Sequence, residues 1–261
     1  MLASTEVFLY LLLTSLFTQS SRLKGSAGGI QPAAHKVVYI GVISAPRNIE
    51  KRMRVRQSYL TKLREANTDG RVLAEFIIGH EALVGVGHQQ GIQARLEDQK
   101  LEEEIIAEAK TFGDVRRIML PETYQNLPDK TLHFLQQGVA LKYDFLLKAD
   151  DDQEVDLEFV EKYASNHNGS ELIYAGRSLF DKEAYASQEG ADGKFVPYFS
   201  GSCYLLSFGL ANLIVGVNST HTGQFLSYGS SSEDVDMGRW VEWEKRLGHD
   251  VIYETLSGLA K

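Results

Sequence analysis

The sequence predicts an α/β fold with a mostly parallel central sheet flanked by helices. Three observations carry this. From residue 36 onward, short β-branched runs alternate with longer helical stretches, the order that βαβ units require. The composition is that of an ordinary globular protein, with 43% hydrophobic and 24% charged residues. It sets aside disorder, collagen and a polytopic membrane protein. A chain of 261 residues is long enough to bury around 70% of its unfolded surface.

Each element has its own signal. Lys36–Ile43 (KVVYIGVI) is β-branched and stops at Ser-Ala-Pro-Arg, so it reads as a buried strand. Ile49, Met53, Leu60 and Leu63 recur at helical spacing and predict one amphipathic helix from Ile49 to Arg64. Val72–Gly79 (VLAEFIIG) is a second strand, and the Glu-rich stretch Gln89–Lys110 is helical. Val115–Leu120 is a third strand. Asp129–Leu141 is a helix with Leu132, Leu135 and Val139 near one face. Asp144–Ala149 (DFLLKA) is a fourth strand that runs straight into three aspartates. Leu172–Gly176 and Tyr204–Ser207 are further strand candidates. The Gly- and aromatic-rich stretch Asp181–Gly201 is irregular.

Ahead of this domain, Val7–Phe17 (VFLYLLLTSLF) is an apolar run of eleven residues. A secretory h-region needs about 7–15 residues and a bilayer span about 17–25, so the run fits an h-region better. Glu6 precedes it and Arg22 and Lys24 follow it, which is the wrong order for a type II anchor. A buried helix is the alternative. Ser20–Gly29 reads as a linker. Residues 1–34 are therefore expected to be a signal or anchor segment plus linker, and residues 35–261 the folded domain. The sequons at Asn168 and Asn218 are candidate glycosylation sites if the chain enters the secretory pathway.

Charge and motif content exclude several classes. The formal net charge is −8, unsuited to wrapping nucleic acid. The lone Cys203 allows neither an intrachain disulfide nor a cysteine zinc site. There is no G-x-x-x-x-G-K-[ST] loop, no G-x-S-x-G elbow and no H-E-x-x-H pair. The glycines at 85, 87 and 91 miss the dinucleotide spacing by one.

Four constellations carry candidate chemistry. Asp150-Asp151-Asp152 follows a buried strand, and ligands of open α/β sheets collect at strand carboxyl ends. In an extended segment Asp150 and Asp152 point the same way and would share a hard cation. A solvated acidic turn with Asp152 as a helix cap is the alternative. Arg47–Arg64 holds seven basic residues and one acidic one. Arg52 and Arg56 share a helical face there and suit a phosphate, while Lys51, Arg54 and Lys62 suit a solvated face. In Ser231–Asp236 (SSEDVD), Glu233 and Asp234 are either first-turn helix acids or contain a general base. Val196–Ser202 (VPYFSGS) suits sugar stacking and core packing equally.

Six stretches then fall in one order: SAPRNIEKRMRVRQSY, EFIIG, FGDVRRIMLPETYQNLPDKTL, YDFLLKADDD, VPYFSGSCYLLS and SEDVDMG. Together they resemble glycosyltransferase family 31, the β-1,3-galactosyltransferase family. The motifs look closest to those of the proteoglycan linkage-region galactosyltransferase. The resemblance implies a GT-A fold for residues 35–261 and inverting hexosyl transfer from UDP-galactose to a glycan acceptor in glycoprotein or proteoglycan synthesis. UDP-GlcNAc and UDP-GalNAc are the alternative donors. It further implies Mn²⁺, a Golgi membrane location and a lumenal catalytic domain. Carried onto this chain, Asp152 is the principal metal ligand with Asp150. Ser44, Arg52, Arg56, Asp150 and Asp151 are donor-binding, Asp234 is the catalytic base, and Tyr198, Ser200 and Gly201 form the sugar and acceptor loop.

The sequence departs from the family at three points. Tyr59 stands where a Trp is usual, and the paired cysteines are missing. The family's metal-binding His lies well beyond the E-D-V motif, where this sequence offers only His249 before ending at Lys261. A C-terminal truncation or an incomplete metal site is the expectation there. Two rival readings are a non-catalytic chaperone or lectin-like family member, which would be expected to lose its aspartates, and a Mg²⁺-dependent nucleotidyltransferase, which leaves SEDVDMG and PYFSG unexplained.

Overall fold

The computed structural model describes residues 37–66, 70–81, 90–181, 196–220 and 232–260. The expected signal or anchor segment at 1–34 lies outside the described residues. So does most of the stretch read as irregular, and so does the side chain of Asn218.

The sheet follows the strand runs of the sequence. β1 (Val38–Ile43), β2 (Val72–Glu81), β3 (Val115–Glu122) and β4 (Phe145–Asp150) pair in parallel in the order β3-β2-β1-β4. β5 (Ile173–Gly176) and β8 (Cys203–Ser207) extend the sheet beyond β4. β8 runs antiparallel to both neighbours. β9 (Ile252–Thr255) closes the far edge, parallel to β5. A separate short ribbon pairs β6 (Leu179–Phe180) with β7 (Tyr198–Phe199).

Helices cover both faces, because β1 is buried on both and alternates its side chains between two cores. Val38, Ile40 and Val42 pack with Val55, Tyr59, Leu60 and Leu63 from α1 (Ile49–Val55), a π-helical turn (Arg56–Leu60) and α2 (Thr61–Ala66). Val160 and Tyr163 of α5 (Leu157–Asn166) join the same core. Tyr39 faces the other way. It meets Phe134 and Leu135 of α4 (Leu127–Leu141) in a core shared with α6 (Phe208–Thr220) and α7 (Glu233–Arg246). Gly41 lies on this second face because any Cβ there would sit 2.2 Å from Phe134 Cδ2. The remaining helix, α3 (Gln90–Phe112), leads into β3.

The single helix expected over 49–64 is broken. Ser58 takes φ −88°, ψ −105° inside the π turn. The hydroxyls of Ser58 and Thr61 donate to the carbonyls of Val55 and Arg56 at 3.1 and 2.5 Å, local competitors of the helical ladder. Besides the two-residue strands β6 and β7 and a 3-10 turn at Tyr124–Asn126, three longer elements went unread in the sequence. α6 is apolar all round (FGLANLIVGVNST), so it lacks the polar face that marks a surface helix. β9 is a four-residue edge strand. α5 did carry a signal, since the Asp156 side chain caps it by accepting from Phe159 N at 3.1 Å.

Candidate active site

β1 and β4 lie side by side, with Ile43 in register with Asp150. Their carboxyl ends form the floor of a cavity of about 320 Å³. Ile43, Tyr124 and Leu127 give it an apolar wall, and Asp150, Glu233 and Asp234 an acidic one. Ser200, Gly201 and Ser202 form the loop between them.

Lys148 organises the acidic wall. It is the penultimate inward residue of β4, and its side chain is only 4% exposed. Its ammonium donates to Asp150 Oδ1 at 2.6 Å and to the Gly201 carbonyl, and lies 3.5 Å from Glu233 Oε2. Burial alone would lower its pKa, but Glu233 and Asp150 hold it above its ordinary value. The same burial pushes the Glu233 and Asp150 carboxyls up, each countered by Lys148. Glu233 also accepts from Thr131 Oγ1 at 3.0 Å and from the Tyr204 hydroxyl.

Asp234 sits beside this network on the first turn of α7. Its Oδ2 accepts from Gly201 N at 3.1 Å, and its Oδ1 from Val235 N at 2.9 Å and from Ser232 Oγ. Its carboxylate thus both satisfies a helix-end N–H and faces the cavity. The first-turn reading of SSEDVD is met, and it leaves a carboxylate at the cavity. The two acids are separated, with Glu233 in the buried network and Asp234 held by the loop.

The three consecutive aspartates diverge. Asp150 turns to Lys148. Asp151 is buried, and its Oδ2 accepts from Ser44 Oγ at 2.7 Å and Asn48 Nδ2 at 2.8 Å. Asp152 is exposed. The expected sharing of one position by Asp150 and Asp152 is therefore not what the structure builds. Instead Lys51 Nζ lies 3.1 Å from Asp151 Oδ1 and 3.1 Å from Asp152 Oδ2. Desolvation raises the Asp152 pKa, but Gln153 and Lys51 outweigh it and hold the carboxyl below its ordinary value.

Three further expectations need correction. Arg52 is fully buried, and all its nitrogens are committed. Nε and Nη2 clamp Glu108 at 2.8 and 2.7 Å, and Nη1 and Nη2 reach Ser44 Oγ and the carbonyls of Ala45 and Pro46. Arg56 clamps Asp114 at 2.9 and 2.7 Å and lies over the rings of Phe76 and Phe112. In this arrangement neither offers a fork to a diphosphate. Arg52 instead fixes the 44–46 turn, so that Ser44 supports Asp151. Tyr198 is 5% exposed, stacks on Phe180 with ring centroids 5.1 Å apart and packs with Val196 and Val235; it is core. His249 pairs with Glu244 at 3.6 Å and does not line the cavity. Ser200 and Gly201 do line it, as expected.

Sequence reasoning missed Lys148, Thr131, Tyr124 and Leu127. All four lie in stretches that carry the resemblance, so the signal was present, but nothing in their residue type marked them. It also placed Lys51 on a solvated face, whereas Lys51 is the cation of α1 that meets the aspartates.

The donor set is compatible with a hard divalent cation. Asp151 and Asp152 present carboxylate oxygens, and the Lys51 ammonium between them is a protein-borne stand-in for such an ion. Among the described residues, no group of three or more His, Cys, Asp and Glu is arranged to hold a metal. Water or a donor phosphate would complete the shell.

Among curated proteins, the chain is 26% identical over 224 residues to hydroxyproline O-galactosyltransferase GALT5 of Arabidopsis thaliana, covering 83% of this chain and 30% of that protein. It is 25% identical over 245 residues to beta-1,3-galactosyltransferase 7 of the same plant, covering 85% and 57%. It is 30% identical over 152 residues to UDP-GalNAc:beta-1,3-N-acetylgalactosaminyltransferase 2 of Xenopus laevis, covering 56% and 29%. The chain thus spans less than two thirds of the length of each of these relatives. A solved glycosyltransferase involved in glycosylation of the major capsid of PBCV-1 is similar over 84% of this chain and 82% of that one, at 9% identity and TM-score 0.42. A profile described as galactosyltransferase matches residues 50–243. That stretch supplies every cavity-lining residue except Ile43, and the chain belongs to the galactosyltransferase family.

Proposed function

We propose that this chain is an inverting galactosyltransferase of GT-A type that moves galactose from UDP-galactose to a hydroxyl of a glycan acceptor, forming a β-1,3 linkage. The observation that carries the reading is Asp234. It is a carboxylate fixed through both oxygens, at the edge of a cavity with one apolar and one acidic wall. A pyranose has matching apolar faces and hydroxyl edges.

In the reaction the acceptor oxygen attacks the anomeric carbon from the side opposite the diphosphate. The new C–O bond forms as the bond to UDP breaks, and the electron pair leaves with UDP. Asp234 takes the acceptor's proton. Opposite-face attack turns an α-linked donor into a β-linked product. Asp152 and Asp151 would hold Mn²⁺, which when bound would supply positive charge to the leaving diphosphate. Ser44 and Asn48 keep Asp151 in place, and Lys148 keeps the Gly201 loop against Asp234.

The N-terminal apolar run and the sequons support entry into the secretory pathway, with a Golgi lumenal catalytic domain. Asn168 is exposed on the turn after α5. The test of function is release of UDP from UDP-galactose, UDP-GlcNAc and UDP-GalNAc with Mn²⁺ and a panel of β-linked acceptors. Transfer from UDP-galactose is the expected result. Transfer from either N-acetylated donor alone would reassign the sugar, and no transfer from any donor would overturn the reading.

A further inference from the structure

We infer that Lys51 is a built-in competitor of the divalent cation. Its ammonium holds the cation position between Asp151 and Asp152 and must leave for a metal to enter.

The geometry singles out Lys51 among the basic residues of α1. Arg52 is spent on Glu108 and the 44–46 turn, and Arg54 is exposed. Lys51 alone among them reaches the aspartates, and it reaches two at once, at 3.1 Å each. One of these is buried and cannot turn away. Asp151 Oδ2 is fixed by Ser44 and Asn48, which leaves Oδ1 directed at Lys51. Asp150 does not join them, because Lys148 claims it. Two lysines therefore divide three adjacent carboxylates, and Lys51 takes the pair at the open side. Its side chain is 38% exposed, so it can swing into water when displaced.

An ammonium and a divalent ion cannot occupy the same oxygens. Even displaced, a unit positive charge about 5 Å from a divalent ion in a water-like dielectric weakens binding on the order of ten-fold. Salt screens part of this. Lys51 thus offsets half the charge of the two aspartates and sets how much metal is needed to load them. This rests on the glycosyltransferase reading only in taking the metal from it.

The test is Mn²⁺ affinity of the full chain without nucleotide, read by electron paramagnetic resonance of free Mn²⁺. The proteins compared are wild type, Lys51→Met, Lys51→Gln and Lys51→Arg. Removal of the charge in Lys51→Met and Lys51→Gln is expected to tighten Mn²⁺ binding on the order of ten-fold, while Lys51→Arg stays close to wild type. Mn²⁺ binding seen only in the neutral variants would equally support the inference. Equal affinity in all four proteins, weaker binding in the neutral variants, tightening in Lys51→Arg as well, or no Mn²⁺ binding by any of them would overturn it. UDP affinity measured in parallel at saturating Mn²⁺ reports on the proposed function alone. Its failure alongside tightened Mn²⁺ binding would remove that reading and leave this one.

Discussion

The backbone N–H of Gly201 donates to Asp234 Oδ2 at 3.1 Å, while the Gly201 carbonyl accepts from the buried ammonium of Lys148. A single loop residue thus ties the proposed base to the charge network beneath it. The carboxylate has its own fixed donors, and the network has its own acceptor. Base and network can therefore be perturbed separately.

Asp234→Asn tests the base. Asn keeps the size of Asp and one oxygen to accept from Val235 N or Gly201 N, so thermal unfolding should change little. UDP–Mn²⁺ binding should persist. A base acts only in the transition state, so kcat and kcat/KM should fall together, by about a hundredfold or more. Near-normal transfer would move the base elsewhere. Glu233, whose oxygens are already engaged by Thr131, Tyr204 and Lys148, would then need reconsideration.

Gly201→Ala tests the fit of the loop. An added Cβ would lie 3.1 Å from Glu233 Oε2 and 3.3 Å from Asp234 Cβ, tighter than ordinary contact. The backbone φ at Gly201 is not positive, so the cost is one of space. The expected outcome is a kcat reduced several-fold with a small change in melting temperature. Full activity would show that the loop can retreat without moving Asp234.

Lys148→Met leaves Glu233 buried without its countercharge. Breaking one partner of a buried pair costs about 3–5 kcal/mol, and chemical denaturation should show a loss of that order. Adding Glu233→Gln removes the stranded charge, so the double variant should recover much of the stability. Equal stability of the single and double variants would mean that the two side chains are not coupled.

The middle of the sheet was legible because strands such as β1 and β4 are buried on both faces and read as apolar runs such as KVVYIGVI. The acidic wall was legible in part. Three aspartates after a strand are conspicuous, and Asp234 stands out as one of two adjacent acids in SSEDVD. What the sequence could not convey was direction. Arg52 and Lys51 are adjacent, and periodicity cannot tell which faces the aspartates. The answer depends on Glu108, fifty-six residues away from Arg52, which captures the arginine and leaves the lysine. Tyr198 misleads for a similar reason, since an aromatic beside a Gly turn looks the same whether it meets a sugar or Phe180.

Glu108 provides the last test, because it accepts from both Arg52 and Arg56. Burial alone would raise its pKa, but the two guanidinium groups hold it below its ordinary value. The linkage sign follows. A carboxyl whose native pKa is depressed contributes stability above its unfolded pKa, about 4.3, and loses it as pH falls through the native value. Glu108→Gln should therefore destabilise the protein at pH 7, by an amount within the 3–5 kcal/mol or so of a broken buried pair. The gap between variant and wild type should close as pH falls from the unfolded pKa through the lower native one, because the wild-type carboxyl is then protonated. Arg56→Met should lower stability at pH 7 while leaving the turn at Ser44–Pro46 intact, since Arg52, Lys130 and backbone bonds hold that turn without Arg56. UDP–Mn²⁺ affinity should then be unchanged in the folded fraction. If Arg56→Met instead abolishes UDP binding in a folded protein, the buried clamp is not the resting place of Arg56 and it reaches the diphosphate after all.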